Sequence, residues 1–239
     1  MELLYTGFIY FDPLYFLFLA PALLLAVFAQ MRVKSTFASM SRVATARGYT
    51  GANAAACILR AAGIHDVEIA QTKGWLSDHY DPAKKVLRLS PEVYTGRSVA
   101  SVGIAAHEAG HALQHATGYA PLNLRSTLVP TASFGSWLAM PMIFIGIFMH
   151  MTMLTHLGIL LFSALVLFQI ITLPVEFNAS SRAKEALITA GIVTGPEEAG
   201  GVSSVLNAAA LTYVAATLTA ILQLLYFMFR AGLIGGRND

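Results

Sequence analysis

Charge is what this sequence has least of. Charged residues make up 12% of its 239 positions and hydrophobic residues 56%, against roughly 25% charged in an ordinary soluble domain. That balance excludes a fully solvated globule and places the chain in a lipid bilayer. A net charge of only +2 offers no basic surface, which excludes nucleic acid as a partner. Cysteine occurs once, at Cys57. A single thiol excludes an internal disulfide framework and a thiolate-rich metal site, so any metal must be held by histidine and carboxylate. Cys57 itself sits in an alanine-rich run and reads as a small buried hydrophobe. No Lys or Arg precedes Arg32. The first apolar stretch therefore lacks the positive n-region of a cleavable signal peptide and is expected to stay in the mature protein.

Long apolar runs are what the chain has instead. Leu14 to Met31, Leu128 to Met149, Met153 to Leu173 and Ala208 to Phe229 are each apolar for about the 20 residues that a helix needs to cross a bilayer. Eleven of the fifteen Lys and Arg lie between Arg32 and Arg125, and short cytoplasmic loops are enriched in these residues. The N-terminus is therefore expected outside and the long loop in the cytosol. Spans two and three should form a tight hairpin around His150 and Thr152. The segment Val175 to Asn207 would then share the cytosolic side with the long loop. Arg230 and Arg237, in the expected external tail, run against the rule.

The long loop reads as a small α+β unit. A helix from Gly51 to Ala62 should be capped by Thr50 and stopped at Gly63, and one from Ser98 to Thr117 should end at Gly118, ahead of Pro121. Between them, Val67 to Ala70 and Lys85 to Leu89 read as strands, with turn signals at Asp81-Pro82 and Ser90-Pro91.

The second of these helices contains His107-Glu108-Ala109-Gly110-His111, the H-E-x-x-H pattern. Random placement of the chain's histidines and glutamates would yield it about 0.007 times. Residues four apart on an α-helix project from one face, so both imidazoles can pinch one Zn²⁺ at about 2.0 to 2.1 Å. Glu108, one position round the helix, can reach water beside the metal without ligating it. The pattern thus encodes ligand, base, ligand. Ala105, Ala106, Ala109 and Gly110 suit a helix packed closely on another backbone.

A catalytic zinc needs a third protein ligand and an open position. His115 lies about 12 Å along the axis from His107 and cannot join the same sphere, so it reads as a polar surface or supporting residue. Gln114 stands where the longer H-E-x-x-H-x-x-G-x-x-H pattern requires glycine. The leading third ligand is Glu176. Pro174 suits the start of a helix running to Ala190, which would put Glu176 in a first turn where the helix dipole favours a carboxylate. A plain first-turn acid is the alternative.

These residues resemble the YugP-like neutral zinc metallopeptidases of bacterial membranes, on His107 to His111, on Glu176-Phe-Asn-Ala-Ser180-Ser-Arg182-Ala183, on Leu76-Ser-Asp78-His79-Tyr80-Asp81-Pro82, and on Val86 to Leu89 with Ser90-Pro91. The resemblance implies a gluzincin-like site in a bacterial inner membrane, with His107, His111 and Glu176 as zinc ligands and Glu108 as base. A more distant similarity is to the HtpX and CAAX-prenyl type of membrane peptidase, whose third-ligand segment reads E-x-x-x-D. Ser180 stands in place of that aspartate and could offer a histidine only a neutral hydrogen bond.

The expected architecture is a mainly α integral membrane protein, with four transmembrane helices and a small α+β zincin-like catalytic unit on the cytosolic side. Its expected divisions are 1–31, 32–126, 127–174, 175–207 and 208–239. The expected function is zinc-dependent endoproteolysis of proteins or membrane-proximal segments. His79 and Tyr80, with Arg182 behind them, are candidates to stabilise the oxyanion, although Asp78 to Pro82 reads equally as a polar turn. Val86 to Leu89 is a candidate edge strand for an extended peptide, or else an ordinary core strand. Competing readings are a membrane scaffold or assembly factor with structural zinc, which would close the fourth position with protein, and a site-2-type intramembrane protease, whose third ligand would be an aspartate within a span. No predicted span contains Asp. Oligomeric state is not legible.

Overall fold

The computed structural model describes residues 12–75 and 77–235. Residues 1–11, Leu76 of the quoted Leu76 to Pro82 segment and Arg237 of the tail lie outside the described residues. The described elements run α1 (Pro13–Met40), α2 (Gly51–Ala61), β1 (Glu68–Gln71), β2 (His79–Asp81), β3 (Val86–Leu89), α3 (Pro91–Thr95), α4 (Val99–Ala116), α5 (Ala120–Phe148), α6 (Thr152–Thr189) and α7 (Pro196–Arg230). The four long helices α1, α5, α6 and α7 are long and apolar enough to cross a membrane.

The chain divides into two compact units. Among the described residues, one comprises 12–28, 124–172 and 213–235. Its core gathers Ala139, Ile143, Phe162, Val166 and Phe227, and the Tyr226 hydroxyl donates to Asp12 Oδ2 at 2.7 Å. Leu24, Phe134, Trp137 and Leu160 are exposed, giving this unit an apolar exterior suited to lipid. The α5–α6 hairpin turns at His150, whose φ of 55° lies in the left-handed region that allows so short a connection. The turn falls where the sequence placed it.

The other unit comprises Ala29–Asn123 and Leu173–Thr212. Its core is built around α4, with Ile58 and Leu59 of α2, Leu87 and Leu89 of β3, Leu187 of α6 and Val202 and Leu206 of α7 buried against Val102, Ala105, Ala106 and Ala109. α4 is approached on several sides, and its small side chains permit that. Local chemistry sets the ends of α2 and α4 as expected. Thr50 and Ser98 accept hydrogen bonds from the N–H groups of Asn53 and Ser101, both at 3.1 Å, satisfying donors that a helix N-terminus leaves orphaned. Gly63 and Gly118, with φ of 71° and 62°, close the C-terminal ends in the conformation that costs glycine least.

Two expectations are corrected here. Val86 to Leu89 is not an edge strand. The sheet order is β1-β3-β2, with β3 parallel to β1 (Glu68 opposite Val86) and antiparallel to β2 (Tyr80 opposite Leu87). Buried Val86, Leu87 and Leu89 suit that central place, and a strand flanked on both sides has no free ladder groups to offer a peptide. The edge beside α4 is instead β2, a strand hidden in what looked like a polar turn. Secondly, Pro174 does not begin a helix. It lies inside α6, which runs unbroken from Thr152 to Thr189. Proline's fixed φ is helical, so the cost is one lost N–H donor and crowding against the carbonyl one turn earlier. Pro21, Pro130 and Pro141 likewise lie within long helices. Glu176 is therefore far from any first turn, and a helix dipole does not account for it.

Candidate metal centre

α4 carries His107 and His111 one turn apart, their ring centroids 4.8 Å from each other and their planes nearly perpendicular. α6 brings Glu176 to both. Its Oε2 lies 3.2 Å from His107 Nε2 and 3.5 Å from His111 Nε2, and one ligand atom from each of the three residues lies within 4.8 Å of the others. A tetrahedral zinc with bonds of about 2.0 to 2.1 Å has donor-to-donor edges of about 3.3 to 3.4 Å, so the nitrogen-to-oxygen separations match the donor set. Glu176 is almost wholly buried, at 2% exposure, which for a carboxylate requires strong partners.

The close approach of the two helices rests on Gly110. A Cβ built there would stand 2.5 Å from the Ala179 carbonyl oxygen of α6. Gly110→Ala should therefore destabilise the protein: the clash is with backbone of Ala179, which cannot swing aside, so the overpacking falls towards the upper end of about 1 to 3 kcal/mol and exceeds the helix-propensity gain of about 1 kcal/mol. Thermal unfolding in detergent checks this, and a midpoint at or above wild type would refute the contact.

The outer nitrogens of both histidines are engaged. His107 Nδ1 lies 3.1 Å from the Ser180 hydroxyl, the neutral partner anticipated at that position. His111 Nδ1 lies 3.0 Å from Gln114 Oε1. Gln114 is fully buried, and its amide nitrogen donates to the Val175 carbonyl at 2.8 Å and to Asn178 Oδ1 at 3.0 Å. In the sequence Gln114 stands out only as a departure from the longer histidine pattern. The signal that could have found it is its place three residues after His111, on the same helical face.

Glu108 is buried beside this cluster. Burial raises its pKa, the charges of His107 and His111 oppose that, and the carboxylates of Glu176 and Asp78 add to it. Burial also disfavours a charged His111, but hydrogen bonding to Glu176, the charge of Glu108 and the Gln114 oxygen together hold its pKa above the ordinary histidine value. Asp78 is raised by burial as well, partly offset by hydrogen bonds from the Ser90 N–H and hydroxyl.

The remaining candidates are placed as follows. His79 is exposed on β2, its Nδ1 2.8 Å from the Ser77 carbonyl oxygen. The Tyr80 hydroxyl meets His115 Nδ1 at 2.8 Å, and His115 is not among the residues that cluster at the metal centre. Arg182 donates from Nε to Asn178 Oδ1 at 2.8 Å and lies over the Tyr119 ring at 5.8 Å.

The chain belongs to the family described as "Putative neutral zinc metallopeptidase", which matches residues 15–232. It is 48% identical over 226 residues to the "Putative membrane protease YugP" of Bacillus subtilis (strain 168), an alignment covering 94% of this chain and 99% of that protein. No solved structure matches. The family's metal is zinc, in keeping with the two-histidine, one-carboxylate cluster, and the four apolar helices make this a membrane protein.

Proposed function

We propose that the chain is a membrane-bound, zinc-dependent endopeptidase with a zincin-like catalytic unit at the cytosolic interface, cleaving proteins or membrane-proximal segments. The observation that carries this reading is the convergence of His107, His111 and Glu176 on one point, with their ligand atoms within 4.8 Å of one another. Those three side chains hold the zinc. When bound, zinc supplies Lewis-acid chemistry, polarising the scissile carbonyl and acidifying water. Glu108 accepts the proton of the attacking water and returns it to the leaving amine. Its burial suits this role, because a raised pKa makes a carboxylate a stronger base.

Of the two oxyanion candidates on β2, whose adjacent side chains point to opposite faces, the Tyr80 hydroxyl is taken by His115, which leaves the exposed His79 as the one this reading retains. The observation that supports this is that β2 packs against α4, the helix that carries His107 and His111. The outer edge of β2 is open to an extended peptide through main-chain hydrogen bonds, a mode with modest sequence preference. Ser180 orients His107, while Arg182 donates to Asn178 Oδ1, the same oxygen that accepts from Gln114. The cytosolic placement is supported by the basic residues Arg32, Lys34, Arg42 and Arg47 that follow the first span.

The test is hydrolysis of an unfolded protein by detergent-purified enzyme before and after metal removal. Cleavage at internal bonds should stop with a chelator and return when zinc is restored. Hydrolysis that survives full metal removal would sink the reading.

A further inference from the structure

Gln114 presents an arrangement in which hydrogen-bond direction can be deduced. Its amide nitrogen lies 2.8 Å from the Val175 carbonyl oxygen, and a carbonyl can only accept. That contact therefore fixes which end of the amide is nitrogen. The contact to Asn178 Oδ1 at 3.0 Å agrees, since the same Oδ1 also accepts from Arg182 Nε at 2.8 Å. The amide oxygen is thus the atom 3.0 Å from His111 Nδ1, and it too can only accept. Nδ1 must carry the hydrogen. A metal-binding imidazole is neutral and has one N–H, so in that form the lone pair of His111 is on Nε2, the atom 3.5 Å from Glu176 Oε2, and without metal the same nitrogen can share a proton with that carboxylate.

The same side chain bridges two helices. Gln114 sits on α4, and Val175 immediately precedes Glu176 on α6. Because Gln114 is 0% exposed, water does not compete for these bonds. His107 differs, because its outer nitrogen meets the Ser180 hydroxyl, which can donate or accept and so selects no tautomer.

We propose that Gln114 is a positioning residue that imposes the metal-ready tautomer on His111 and holds α4 in register with the backbone carrying Glu176. This rests on the reading of His111 and Glu176 as zinc ligands. A glutamate at 114 could still accept from Nδ1 but would set oxygen against the Val175 carbonyl and Asn178 Oδ1. A methionine would keep the length and lose every polar contact. Both substitutions should weaken zinc binding by about 10- to 100-fold, the usual cost of removing the partner that orients a metal-bound histidine.

The experiment uses the full chain in detergent and measures zinc affinity by competition with a chromophoric chelator for wild type, Gln114→Met, Gln114→Glu, His111→Ala and Glu176→Ala. A ¹⁵N-histidine spectrum of the wild type reads the tautomer directly. The expected result is weakened zinc binding in both Gln114 variants and a protonated, exchange-protected Nδ1 at His111. Wild-type zinc affinity in both Gln114 variants, with affinity lost in His111→Ala and Glu176→Ala, would overturn this proposal alone. Unchanged affinity in those two alanine variants would overturn the ligand assignment beneath it. If a Gln114 variant does not fold, the wild-type spectrum still decides: a His111 with its proton on Nε2 and none on Nδ1 refutes the proposal.

Discussion

Replacing Glu108 by glutamine is expected to leave zinc bound and to lower kcat by about 10²- to 10⁴-fold, the range that a positioned general base contributes. Glutamine has nearly the same volume, so the packing of α4 survives. The cluster of His107, His111 and Glu176 does not include Glu108, so the proposed donor set is intact. What disappears is a buried carboxylate whose basicity is raised by its surroundings, because a neutral amide cannot take a proton from water. Metal content and peptide hydrolysis measured on one preparation check both halves. Undiminished turnover would defeat the mechanism, and loss of zinc would move Glu108 from base to ligand.

Replacing Glu176 by alanine should produce the complementary failure: zinc is lost and hydrolysis falls to background. Two imidazoles on one helical turn remain, but the only anionic donor of the cluster is gone. The carboxylate oxygen 3.2 and 3.5 Å from the two Nε2 atoms is what closes the cluster from the α6 side. The loss should exceed the roughly 100-fold that marks the upper range for a residue acting only on a ligand's outer nitrogen. Metal analysis after dialysis against a weak chelator gives the answer. A Glu176→Ala protein that keeps stoichiometric zinc would require another third ligand.

Much of the site was legible because it is local. The two imidazoles and Glu108 are set by one helical repeat, and Thr50, Ser98, Gly63 and Gly118 mark helix ends through bonds made within a few residues. Glu176 is legible as a carboxylate on the same side of the membrane as the histidine helix and through the resemblance, but its first-turn place after Pro174 does not hold, because α6 passes through that proline without ending. Its carboxylate is accounted for by the two histidines of another helix. β2 was not legible as a strand because three residues carry too short a pattern to show alternation. The central place of β3 depends on pairing with β1 on one side and β2 on the other, which the spacing of Val86 to Leu89 cannot express.

The sequence by itself determined the membrane character, the hairpin at His150 and the helical turn that presents His107, Glu108 and His111, since hydropathy, capping and helical period act over short stretches of chain. Only the tertiary structure decided which carboxylate meets those histidines, that β1 and β2 rather than β3 are the edges of the sheet, and that Gln114 bridges His111 and Val175. Each of these is a contact between residues distant along the chain, such as Gln114 with Val175 or Gly110 with Ala179. Such contacts follow from how helices and strands pack together, which no local pattern encodes.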